Sequence, residues 1–124
     1  MSTILIVEDN EKNMKLARDV LQTKGYATLE AVTGEEGVRM TIAHRPDLVL
    51  MDIQLPGING MEALRQVRAA PGCERIPVVA FTASVTPTDR SQISAAGFDG
   101  FISKPINLKE FLDTVKRLLE APGP

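Results

Sequence analysis

Five short runs of β-forming apolar residues recur along the chain, and this rhythm limits its possible folds more than any other feature. Ile4–Val7, Ala27–Ala31, Leu48–Met51, Val78–Phe81 and Phe101–Ser103 begin 21 to 30 residues apart. The stretches between them carry helical spacing. The clearest is the last, where Leu108, Phe111, Leu112, Val115, Leu118 and Leu119 fall on one face. Strands separated by helices must pair in parallel through crossovers, and strands this apolar need cover on both faces. The pattern therefore predicts an α/β fold, a single doubly wound sheet of five parallel strands with five helices, in the order 2-1-3-4-5. The second run contains Thr28 and Glu30 and is the most polar, so it belongs at an edge.

Helix boundaries are marked locally. Thr33 with Glu36, Asn59 with Glu62 and Asn107 with Glu110 have the form of capping boxes. Thr86-Pro87 places a cap before a proline at the first helical position, and Gly25 and Gly97 stand where helices should end. At 124 residues the expectation is one domain over 1–124, with 121–124 a short tail. Fourteen basic residues against sixteen acidic ones give a net charge of −2, with the basic residues scattered. That balance argues against general affinity for nucleic acid. Apolar runs of four residues are far too short to span a membrane, and no secretory leader pattern opens the chain, so a cytoplasmic location is expected. One cysteine and one histidine exclude a disulfide framework and any multi-cysteine metal site.

In sheets of this kind ligands bind beyond the carboxyl ends of the strands. The first run ends in Glu8-Asp9, the third in Asp52 and the fourth in Thr82, and the fifth is followed by Lys104-Pro105. Each has an ordinary structural use: the acidic pair as a helix cap, Thr82 as a strand residue, Lys104 as a solvated cation. Together they would place three carboxylates, a hydroxyl and an ammonium in one shallow pocket. Carboxylates so close raise one another's pKa unless a cation balances them. Hard oxygen ligands with room for water and phosphate suit Mg²⁺. A cation on one side and Lys104 on the other would bracket a phosphoryl group, and phosphoryl transfer needs mainly alignment and charge neutralisation. A carboxylate can itself be the nucleophile, and Asp52 is the central one.

Val7-Glu8-Asp9-Asn10, Leu50 to Gly57, Thr82-Ala83, Ala96 to Phe101 and Ser103-Lys104-Pro105 resemble, in order and over nearly the whole chain, the signature blocks of response-regulator receiver domains. The chain is similar to stand-alone regulators of the chemotaxis and cell-cycle types. The resemblance implies a flavodoxin-like fold and a role in two-component signalling. It implies that Asp52 accepts a phosphoryl group from a phosphohistidine on a sensor kinase or histidine phosphotransfer protein, becoming a 4-aspartylphosphate. Asp9, Asp52 and the backbone carbonyl of Gln54 would ligate Mg²⁺, with Glu8 holding a metal-bound water. Thr82 and Lys104 would each engage a phosphoryl oxygen, Phe101 would be the switch aromatic, and the peptide before Pro105 would be cis. The kinase would dock over Lys12, Asn13, Leu16 and Ile106. A downstream protein would read the face of helix four, strand five and helix five, rimmed by Ser84, Thr88, Gln92 and Lys109. Such a protein is not an enzyme in the usual sense, since it catalyses only its own phosphoryl transfer and dephosphorylation.

Three other readings are weaker. A phosphohydrolase with an aspartyl nucleophile wants a second acid two residues on, where this chain has Gln54. A flavin carrier wants a Ser/Thr/Gly-rich phosphate cradle and flanking aromatics, which the loops after the first and third runs lack. A degenerate receiver would not keep Asp9, Asp52, Thr82 and Lys104 together. Cys73, in the polar Pro71–Arg75 stretch, is expected to be a spectator, and His44 to favour a helix dipole. Met14, Met40 and Met61 are expected to fill the core.

Overall fold

The computed structural model describes residues 2–83 and 86–120. The expected tail and the expected rim residue Ser84 lie outside the described residues. Five strands alternate with five helices: β1 Thr3–Val7, α1 Glu11–Thr23, β2 Ala27–Ala31, α2 Gly34–His44, β3 Leu48–Asp52, α3 Gly60–Ala69, β4 Val78–Thr82, α4 Pro87–Ala96, β5 Gly100–Ser103 and α5 Leu108–Glu120. All strand pairs are parallel, in the order β2-β1-β3-β4-β5. The polar second strand sits at the edge, with Glu30 exposed.

Several strands run one residue beyond their apolar run. Asp52 still pairs with Phe81, and Thr82 with Ser103, because the backbone ladder continues where the side chains turn polar. The Ile53 amide donates to the Phe81 carbonyl at 3.1 Å, and the Lys104 amide to the Thr82 carbonyl at 2.8 Å. These bonds fix the strand ends that carry the polar residues.

Period-two alternation divides the sheet into two apolar faces. Ile4, Ile6, Leu48, Leu50, Val79, Phe81 and Ile102 pack with Met14, Ala17 and Leu21 of α1 and with Phe111 and Val115 of α5. Leu5, Val7, Val49, Met51 and Val78 face Val38 of α2 and Ala63, Leu64 and Val67 of α3. Each fully buried Ile or Leu contributes about 1.5–3 kcal/mol, so the sheet tolerates charged groups at its end. Within α4 only Ile93 is buried.

The caps form as the sequence predicts. The Oγ1 of Thr33 accepts from the Glu36 amide, and the Oδ1 atoms of Asn59 and Asn107 accept from the Glu62 and Glu110 amides. Gly25 (φ 90°) and Gly97 (φ 104°) follow α1 and α4. His44 lies in the last turn of α2. Met14 is buried in the α1–α5 core face, and Met40 packs against the α2–α3 face. Met61 joins neither core face and instead lines a recess beside Thr82. Cys73, expected to be a spectator, is fully buried within the α2–α3 face of the core, with its Sγ 4.0 Å from the Thr41 carbonyl.

Candidate functional site

The cap of α1 explains why an acidic pair is available at the end of β1. Asn10 caps that helix, its Oδ1 accepting from the Lys12 and Asn13 amides at 3.0 Å. Glu8 and Asp9 are therefore not engaged as caps. Glu8 is fully buried and Asp9 is exposed. Asp52 closes β3 on the same face as Leu48 and Leu50 and is 3% exposed. Glu8, Asp9 and Asp52 each bring a carboxylate oxygen within 4.8 Å of the others. Thr82, 2% exposed, ends the neighbouring β4.

Lys104 enters this cluster after β5, ahead of a cis peptide to Pro105. Its Nζ donates to Asp52 Oδ2 at 3.0 Å and lies 2.7 Å from Glu8 Oε1. The ammonium also sits 4.8 Å from the centre of the Phe81 ring. Its side chain is only 16% exposed, so the reading of Lys104 as a solvated cation does not hold. The other Asp52 oxygen, Oδ1, accepts from the Gln54 amide at 3.0 Å. The two carboxylate oxygens are thus held separately, one by backbone and one by Lys104.

The electrostatics show a cluster short of positive charge. Burial, then the adjacent Asp52 carboxylate, push Glu8 up to about 7, against the pull of Lys104. Burial would lower the Lys104 ammonium, but Glu8 and Asp52 outweigh it and hold it above its ordinary range. Glu8 Oε2 accepts from the Asp9 amide at 3.1 Å. Its Oε1 is buried and has the Lys104 ammonium 2.7 Å away as its charge partner. One ammonium shared among three carboxylates whose oxygens lie within 4.8 Å of one another is a set that fits a hard divalent ion.

These features decide the family. A receiver-domain model, "Response regulator receiver domain", matches residues 4–116. The chain belongs to the response regulator receiver domains. It is 42% identical to the polar-differentiation response regulator DivK of Brucella anthropi over 117 residues, 94% of this chain and 95% of that protein. Among solved structures, a putative response regulator from Chloroflexus aurantiacus superposes with a TM-score of 0.92 at 29% identity, covering 97% of this chain and 98% of that one. The receiver domain of a Pseudomonas aeruginosa sensor histidine kinase superposes with a TM-score of 0.90 at 32% identity, over 97% of this chain and 98% of that one. That receiver holds a magnesium ion in its active-site cleft.

This receiver gathers Glu8, Asp9 and Asp52 within 4.8 Å of one another, with Lys104 paired to Glu8 and Asp52 and the Gln54 amide bonded to Asp52. Thr82 ends the next strand, while Phe101 lies apart on β5. The Arg90 guanidinium of α4 stands 5.2 Å from the centre of the Phe101 ring. A recess of about 240 Å³ there is lined by Arg90, Ile93, Phe98 and Phe101. Thr88, Gln92 and Lys109 are exposed. Of the four residues expected to meet a kinase, Lys12 is exposed, Leu16 is 42% exposed, Asn13 is half-buried and Ile106 packs against the core. Two site features carried no local signal: the Phe81 ring beneath Lys104, and Gly60, whose missing Cβ leaves room for the Asp52 carbonyl. No helix among the described residues is long and apolar enough to cross a membrane.

Proposed function

We propose that this receiver is a phosphoryl-accepting switch in which Asp52 takes a phosphoryl group from a phosphohistidine and a protein-binding face responds. The observation that carries the reading is the Asp52 carboxylate itself. It is buried at the end of the central strand, one oxygen held by a backbone amide and the other by Lys104, beside two further acids.

The arrangement does its work through positioning and charge. Glu8, Asp9, Asp52 and the Gln54 carbonyl would hold Mg²⁺, which when bound supplies the positive charge that lets an anionic phosphoryl group approach an anionic nucleophile. Asp52 forms the new P–O bond as the P–N bond to the donor imidazole breaks, and the imidazole keeps the electron pair. Lys104, released from Asp52 by that event, pairs with a phosphoryl oxygen. Thr82 donates its hydroxyl to another. The chain turns over no external substrate and catalyses only gain and loss of its own phosphoryl group. The donor is a sensor kinase or phosphotransfer protein that docks over Lys12, Asn13, Leu16 and Ile106. A cytoplasmic protein reads the face around Phe101, and the chain's acidic balance argues against DNA as that reader.

The test is incubation with Mg²⁺ and acetyl phosphate followed by intact-mass measurement. Wild type should gain a single phosphate adduct and Asp52→Asn none. An adduct at wild-type level in Asp52→Asn would remove Asp52 from the acceptor role.

A further inference from the structure

The segment that follows Asp52, residues 53–59, carries the Gln54 amide that orients the Asp52 carboxylate. It is tied at both ends: the Gln54 amide donates to Asp52 Oδ1, and the Gly60 amide donates to the Ile53 carbonyl at 2.9 Å. Ile58, the sixth of its seven residues, is held by a different element. The Ile58 amide donates to Glu35 Oε1 of α2 at 3.3 Å, across 23 residues of sequence.

Three further observations show that the two elements interlock. Gly57 has a φ of 76°, and a Cβ there would run into the Glu35 carboxylate. Gly34, the first residue of α2, lies so close to Ile58 that a Cβ would strike its carbonyl, with Ile58 Cγ1 at 2.6 Å. Glu35 is also free of duties within its own helix end. Thr33 caps the Glu36 amide, and Glu36 itself reaches back to the Val32 amide at 2.9 Å. With the cap complete, the Glu35 carboxylate is directed out of α2 and onto the neighbouring segment.

We infer that Glu35 is a positioning residue for the acceptor site, acting through the Ile58 amide to hold residues 53–59 in the shape that presents Gln54 to Asp52. This rests on the reading of Asp52 and its acidic neighbours as a Mg²⁺-dependent phosphoryl acceptor. Loss of the Glu35 acceptor frees the Ile58 amide, late in a seven-residue segment whose first residues touch the site. A single hydrogen bond of this kind sets the site's affinity by about two- to tenfold.

The experiment compares wild type, Glu35→Ala, Glu35→Gln, Arg39→Ala and Asp52→Asn. Mg²⁺ dissociation constants come from amide chemical-shift titration at Gln54, and acetyl-phosphate labelling rates from intact mass, with a thermal melt of each protein alongside. Glu35→Ala should raise the Mg²⁺ dissociation constant and slow labelling by about two- to tenfold, with a melting midpoint close to wild type. Glu35→Gln keeps an oxygen for the Ile58 amide and should restore both to within about twofold. Arg39→Ala, which removes an exposed partner of Glu36 on the same helix, should change neither. Wild-type affinity and labelling in Glu35→Ala would overturn the inference, as would a lowered melting midpoint with no change at the site. If instead wild type shows no Mg²⁺-dependent adduct that Asp52→Asn lacks, the acceptor reading itself fails and the inference falls with it.

Discussion

Lys104→Ala is the substitution whose outcome the geometry constrains most tightly, because the side chain it removes is the cation nearest two buried carboxylates. In metal-free protein the cost has two parts. The first is the lost bond to Asp52, a hydrogen bond between charged groups worth about 1.5–3 kcal/mol. The second falls on Glu8, whose carboxyl is held up at about 7 even with Lys104 present. Without the ammonium, Glu8 avoids a buried charge by keeping its proton. At pH 8, above where wild type releases that proton, keeping it costs on the order of 1 kcal/mol. The sum is about 2.5–4 kcal/mol at pH 8, a fall of about 10–15 °C in melting midpoint for a chain of this size. The sign with pH follows from a folded pKa above the ordinary carboxyl value of 4.5. Glu8's contribution to stability is complete below about 4.5 and is lost as pH rises through about 7 in wild type, and through a higher pH in the variant. At pH 5 Glu8 is protonated in both proteins, so only the Asp52 part remains and the deficit shrinks to about two-thirds. The assay is a circular-dichroism melt of both proteins at the two pH values in chelator, repeated with Mg²⁺. An equal deficit at pH 5 and pH 8 would show that Glu8 is not linked to Lys104. No deficit at either pH would mean that the ammonium is solvated after all.

Asp9→Ala should weaken Mg²⁺ binding at least tenfold while leaving the melting midpoint within a few degrees of wild type, since its carboxylate is exposed; titration of the Gln54 amide shift measures the first, and unchanged binding would remove Asp9 from the site. Phe101→Ala should leave Asp52 labelling by acetyl phosphate intact but abolish the response of the α4–β5 surface to beryllofluoride. Amide shifts along α4 report that response, and a full response in the variant would rule Phe101 out as the relay.

The strands, their order and the helix caps could be read from the sequence because each rests on local spacing or on a parity that a sheet enforces. The site could be read for the same reason: once the strands are parallel, their carboxyl ends must meet, and Glu8, Asp9, Asp52 and Thr82 all stand at such ends. Lys104 reaches the pocket through the convergence of the strand ends, not through any signal in its own segment. A lysine before a proline after the last strand looks solvated, and nothing within its own segment reveals an Asp52 partner 52 residues away. Cys73 was hidden by its polar neighbours, although Leu64, Val67, Ala70 and Cys73 continue one apolar stripe at intervals of three past the end of α3. The contact of Glu35 with Ile58 left no trace in the sequence, because both residues look like ordinary members of their own elements.

The single buried side chain of α4 has a consequence for where this molecule can yield. Its four companion helices each bury three or four residues, whereas α4 is fastened to the sheet essentially through Ile93. The free energy to lift or rotate a helix scales with the apolar surface it must expose, so α4 opens at a small fraction of the cost of unfolding the domain. Its amides should exchange with solvent well before those of α1 or α5. A modest rearrangement at the ends of β4 and β5 can therefore be spent on moving one helix while the two cores stay closed.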